Sequence, residues 1–243
     1  MNSDAADRLL VALDVDSIEE AAGLLDALAG VVTGCKIGSQ LFTAAGPAAV
    51  ELARKRDFRV FLDLKFHDIP NTVAGAVREA TRLGVFMLTL HASGGSAMMR
   101  AAAEGARKAA AEFKVARPLL VGVTVLTSLD RRALALEVGV PITVEQHVVD
   151  LAARAREAGL DGVVASPHEI RALRRAMGAR WVIVTPGLRP AARAAGDDDQ
   201  ARTATPAAAV AAGADYLVVG RPITQAPDPT AAARAILADL DGA

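Results

Sequence analysis

The sequence predicts a single-domain α/β chain folded as a (β/α)8 TIM barrel. Short apolar runs alternate with Ala-rich helical segments from one end to the other. There are eight such pairs, and 243 residues is about the length one barrel needs. A doubly wound sheet is the alternative, but its Gly-x-Gly-x-x-Gly turn after the first strand is absent. Gly34 and Gly38 flank the second strand without that spacing.

Strands are expected at 8–13, 32–37, 58–65, 85–91, 118–125, 161–166, 181–185 and 215–219. Each is a short apolar run of strand length. Between them, 17–30, 46–56, 71–83, 95–112, 145–158, 168–177, 206–213 and 228–239 carry apolar residues at helical spacing. No linker, low-complexity run or composition shift divides the chain, so 1–243 reads as one domain. The stretch 187–205 has no strong period and contains Asp197-Asp198-Asp199. A long loop of this kind in a compact domain is usually functional or mobile.

Composition narrows the function classes. The chain is 52% hydrophobic but only 3% aromatic, which suits Ala, Val and Leu packing between helices and a sheet. A net charge of -1 with no basic stripe argues against a general nucleic-acid binder. The arginines between Arg171 and Arg175 sit among Ala and Leu and read as a solvated helix face. Cys35 is the one cysteine, so no intramolecular disulfide forms and a reducing compartment is expected. It precedes Lys36 on a strand and so faces away from it, as a packing residue. No apolar run reaches membrane-spanning length, and Met1-Asn2-Ser3-Asp4 is not a signal peptide. A soluble, cytoplasmic protein is expected.

The most informative segment is Asp63-Leu64-Lys65-Phe66-His67-Asp68, which follows the apolar run 58–62. Side chains alternate along a strand, so Asp63 and Lys65 share one face while Leu62 and Leu64 share the other. Taking such ions out of water costs several kcal/mol each unless they are well paired. Polar residues also end the other strands: Asp14 the first, Lys36 the second, His91 the fourth, Thr124 with Thr127 the fifth. In a barrel these ends meet at one face, where the loops build active sites. Asp14, with Ser17 close behind, also fits a helix N-cap. Together the strand ends place two carboxylates and two ammonium groups around one mouth, and alternating charges hold one another ionised.

The last quarter supplies a second kind of site. Thr185-Pro186-Gly187-Leu188-Arg189 closes the seventh strand and Val218-Val219-Gly220-Arg221-Pro222 the eighth. Barrels frequently bind phosphate with the loops after these two strands. Gly220 lets the backbone approach an anion, and Arg221 offers a bidentate guanidinium. A phosphorylated small molecule with its reacting end near Lys65 is the inference.

Leu62-Asp63-Leu64-Lys65-Phe66-His67-Asp68-Ile69-Pro70-Asn71-Thr72 resembles the signature of the bacterial-type orotidine 5'-phosphate decarboxylases. The resemblance extends through Ala12-Leu13-Asp14, Lys36-Ile37-Gly38, Leu90-His91-Ala92, Val125-Leu126-Thr127-Ser128, Thr185 to Pro190 and Val219 to Thr224, in the family's order. The stretch Ala191 to Gly196 is the least matched.

The resemblance implies a homodimeric barrel with two active sites at the subunit interface and neither cofactor nor metal. Orotidine 5'-monophosphate would lose its C6 carboxylate as CO2 to give uridine 5'-monophosphate, the last step of de novo pyrimidine synthesis. Carried over by position, Lys65 would protonate C6 and Asp63 would lie against the substrate carboxylate. Lys36 and Asp68 would complete the charged array, Asp68 reaching in from the partner. Asp14, Lys36 and Thr72, the last also from the partner, would hold the ribose. Thr127, or its neighbour Ser128, would meet the pyrimidine. Arg189, Gln200, Gly220 and Arg221 would hold the phosphate, with 187–205 as the closing loop. His91 lines the mouth without a chemical step.

Two rivals remain. The 3-keto-L-gulonate 6-phosphate decarboxylases and hexulose-phosphate synthases of the same barrel family share the Asp-x-Lys-x-x-Asp strand. They bind Mg²⁺ through an acidic residue at the end of the second strand, where this chain has Lys36, which would repel a divalent cation. A non-catalytic barrel is the other rival, and it would be expected to have lost one of the charges.

Overall fold

The computed structural model describes residues 5–189 and 204–241. Eight parallel strands close into a barrel in chain order: β1 (Leu9–Ala12), β2 (Gly34–Gly38), β3 (Arg59–Phe66), β4 (Met87–His91), β5 (Leu119–Val123), β6 (Gly162–Val164), β7 (Val182–Thr185) and β8 (Tyr216–Val219). Leu10 pairs with Gly34 of β2 on one side and Val218 of β8 on the other, which closes the ring. All eight expected strands are present, and the doubly wound alternative is excluded.

Strand parity sorts the core into two layers. Leu9, Val11 and Leu13 pack outward under the helices. Leu10 and Ala12 point inward with Phe61, Met87, Val121, Val184 and Val218 to fill the barrel. Gly34 makes room for this filling, since a Cβ there would lie 2.5 Å from Leu10 Cδ2.

Local signals start the helices. Ser17 caps Ile18–Leu28 by accepting the Glu20 N–H, so Asp14 is released from the capping role its position allowed. Proline opens Pro70–Arg82, where its missing N–H is not needed. Four short α-helices among the described residues lie outside the expected helical spans: Ala5–Arg8, Ser39–Ala45, Arg131–Leu136 and Arg221–Thr224. Each spans at most about two turns, too few for a helical period to show in the sequence.

The N-terminal face of the barrel is tied by ions. Asp161, just before β6, accepts from Arg117 and from the Leu120 N–H of β5. Asp215, just before β8, likewise accepts from Arg174 and from the Ile183 N–H of β7. Arg174 therefore corrects the expectation of a fully solvated arginine face. Arg171 and Arg175 are exposed, but Arg174 turns under the barrel to the carbonyls of Gly213 and Trp181 as well.

At the opposite end, the residues just after β7 meet Ala204, just before the helix Pro206–Ala212. Leu188 bridges to Ala204, and the Arg189 N–H donates to the Ala204 carbonyl at 3.0 Å. The expected phosphate-closing loop falls mostly at 190–203, which with Gln200 lies outside the described residues. No helix among the described residues is long and apolar enough to cross a membrane.

Candidate active site

The charged residues at the C-terminal ends of β1, β2 and β3 form one chain of alternating sign. Lys36 Nζ lies 2.9 Å from Asp14 Oδ1 and 3.8 Å from Asp63 Oδ2. Lys65 Nζ approaches the same Asp63 oxygen at 2.8 Å. Lys36 and Asp63 are buried, each 8% exposed, while Asp14 and Lys65 reach the open mouth. A buried lysine and aspartate are tolerable because each has an opposite charge in reach. Four of the residues expected at the site are thus brought together.

The backbone of β3 makes this arrangement possible. Leu62 pairs with Leu88 and Phe66 with Leu90, so three residues of β3 stand opposite the single Thr89 of β4. Lys65 absorbs the extra length in a left-handed conformation, φ +52°. A lysine in that region is uncommon, and such strain gathers at functional sites. The Thr89 hydroxyl accepts the Lys65 N–H at 2.8 Å and lies 3.0 Å from Asp63 Oδ1, to which it donates. Thr89 is fully buried and was not among the expected site residues. Its only signal in sequence is parity: it shares the inward face of β4 with Met87 and His91.

His91 ends β4 at the mouth, its ring 5.2 Å from that of His67. Burial depresses its pKa below the ordinary value, with the neighbouring His67 and Lys65 acting in the same direction and Asp63 opposing. Cys35 packs outward beneath the helices as expected, and burial pushes its thiol up to about 12 against the pull of Lys36.

The remaining expected residues among those described follow the C-terminal ends of β3, β5, β7 and β8. Asp68 is exposed, and its carboxylate accepts the N–H of Ile69 at 2.6 Å. Thr72 is exposed in the first turn of Pro70–Arg82. Thr127 is half-buried in the turn after β5, whereas Ser128 is exposed. Thr124 is spent on structure, its hydroxyl donating to the Val164 carbonyl of β6. Arg189 stands just after β7. Gly220 follows β8 and opens the short helix Arg221–Thr224. A Cβ on Gly220 would lie 3.9 Å from Asp14 Oδ2, so the end of β8 adjoins the charged mouth.

Chemically, the site offers a lysine amine beside a carboxylate whose orientation is fixed, with a second lysine behind it. Among the described residues no cluster of three or more His, Cys, Asp or Glu side chains is placed to hold a metal ion.

Residues 7–236 match the orotidine 5'-phosphate decarboxylase / HUMPS family. The orotidine 5'-phosphate decarboxylase of Moorella thermoacetica is 57% identical over 237 residues, covering 98% of this chain and 93% of that protein. The enzyme of the same name from Heliobacterium modesticaldum is 51% identical, covering 98% and 97%. In three dimensions, the orotidine 5'-phosphate decarboxylase of Lactobacillus acidophilus superposes with a TM-score of 0.83 at 35% identity, covering 97% of this chain and 99% of that one. A family match across the barrel, with relatives above half identity over nearly their whole length, settles the affiliation: this chain belongs to the orotidine 5'-phosphate decarboxylase / HUMPS family.

Proposed function

We propose that the chain decarboxylates orotidine 5'-monophosphate to uridine 5'-monophosphate and CO2, the last step of de novo UMP synthesis. The observation that carries this reading is the continuous series Asp14–Lys36–Asp63–Lys65 at the barrel mouth. The names borne by the relatives point the same way.

In this mechanism the bond from C6 to the carboxylate breaks and its electron pair stays on C6, in the plane of the ring. The ring π system cannot delocalise that pair, so fixed positive charge beside C6 must offset it. Lys65 supplies the charge and then transfers a proton from Nζ to C6, which completes uridine 5'-monophosphate. The neutral amine left behind regains its proton from solvent through the open mouth. Asp63 lies against the departing carboxylate and holds Lys65 in place, and Lys36 balances both aspartates.

The same proposal assigns the rest of the substrate. Asp14 and Lys36 hold ribose hydroxyls and the half-buried Thr127 meets the pyrimidine. Arg189, Gln200, Gly220 and Arg221 take the phosphate. The segment 187–205 closes over it. A homodimer completes each site, with Asp68 and Thr72 contributed across the interface. Their exposure in the single chain, only a few residues beyond Lys65, supports this. The enzyme is cytoplasmic in this reading and works without metal or cofactor. Lys36 stands where the Mg²⁺-dependent sugar-phosphate enzymes of the family would need an acid.

Ultraviolet absorbance of orotidine 5'-monophosphate incubated with the purified protein tests the proposal. Loss of the substrate band, indifferent to EDTA, is expected. An unchanged band, or activity abolished by EDTA, would return the chain to the sugar-phosphate branch.

A further inference from the structure

We propose that Thr89 is a positioning residue for the decarboxylation, acting through its hydroxyl on both Asp63 and Lys65. The inference rests on the decarboxylase reading and goes beyond it to a residue that touches no substrate.

The extra length of β3 takes the Lys65 N–H out of the regular ladder, since three residues face one. A buried N–H without a partner is costly, and the Thr89 hydroxyl supplies one at 2.8 Å. The same hydroxyl has one proton to give, and Asp63 Oδ1 at 3.0 Å receives it. That fixes which carboxylate oxygen does what. Oδ1 is held by Thr89, so Oδ2 is left for both ammonium groups, Lys65 at 2.8 Å and Lys36 at 3.8 Å. One side chain thereby sets the backbone of the proton donor and the direction of the carboxylate that faces it.

The arrangement is directional: a hydroxyl both accepts and donates here, whereas a methyl does neither. Thr89 is fully buried, so water does not readily substitute for it. Placement of a donor to within a fraction of an ångström is where such groups affect turnover rather than binding. Thr89 is on β4, whereas Asp14 follows β1 and Arg189 and Arg221 follow β7 and β8, so ribose and phosphate should be gripped as before.

The test compares Thr89→Val, which keeps the shape and removes the hydroxyl, with Thr89→Ser, which keeps the hydroxyl. Turnover of Thr89→Val is expected to fall about 10- to 100-fold, the range for a hydrogen bond to a charged group. The Michaelis constant should stay within about threefold, and Thr89→Ser should recover most of the loss. Thr89→Val within about twofold of wild type, or Thr89→Ser as impaired as the valine variant, overturns the inference. Should Thr89→Val not fold, Thr89→Ala removes the hydroxyl without adding atoms and carries the same test. If the wild-type protein itself fails to decarboxylate, the functional reading falls separately. A crystal structure of the variant then reads the positioning role directly. Asp63 swung away from Lys65 supports it, and an unmoved carboxylate overturns it.

Discussion

The Lys36 ammonium occupies the space that a side chain at Gly38 would need. A Cβ built on Gly38 would lie 2.8 Å from Lys36 Nζ and 3.1 Å from Asp14 Oδ1. Both residues are on β2, two apart and therefore on the same inward face. The missing side chain at the strand end leaves the room in which the innermost lysine can meet two carboxylates.

Gly38→Ala should therefore displace Lys36 from Asp14 and disturb the array without opening the barrel. We expect turnover to fall by about tenfold or more, a 1.4 kcal/mol effect on the barrier, while the melting temperature moves by only a few degrees. Steady-state kinetics beside thermal denaturation checks this. A variant with native turnover would show that the position of Lys36 is not critical.

Arg221→Ala should lower turnover as well as affinity. The phosphate lies remote from C6 in the proposed binding mode, yet under that proposal its binding energy would also help to organise the charges. A raised Michaelis constant with an unchanged turnover number would mean that phosphate binding is uniform across the reaction.

His91 gives the fold a pH dependence of defined sign. Its pKa in the folded protein lies below the ordinary 6.5, chiefly through burial. The unfolded chain therefore takes up this proton first as pH falls. The stabilisation is fully present above pH 6.5 and is lost between there and the depressed folded value. Urea midpoints measured from pH 8 to pH 5 should fall more for the wild type than for His91→Gln. Parallel profiles would show that the imidazole is equally easy to protonate in both states.

The barrel was legible in the sequence because its strands are continuous apolar runs spaced by Ala-rich helices. The charged site was legible because parity puts Lys36, Asp63 and Lys65 inward at neighbouring strand ends. The shared face of Asp63 and Lys65 follows from simple alternation in the sequence, but in the structure it depends on an irregular β3 with Lys65 left-handed. Nothing local in the sequence announces that irregularity. Thr89 escaped for the same reason, because its importance comes from the misaligned strand beside it. Arg174 was misread because its partners Gly213 and Asp215 belong to a different βα unit, which helical spacing does not reveal. The short helix Arg221–Thr224 had too few residues to show a period, although Gly220 and Arg221 marked the place.

Decarboxylation of orotidine 5'-monophosphate by Lys65→Ala tests the central claim most directly. If Lys65 offsets the developing charge and protonates C6, its removal costs at least the roughly 10²- to 10⁴-fold of a general acid. The variant should keep the wild-type melting profile and bind uridine 5'-monophosphate with similar affinity. Turnover within tenfold of wild type would contradict the account and move the proton donor to another group at the mouth.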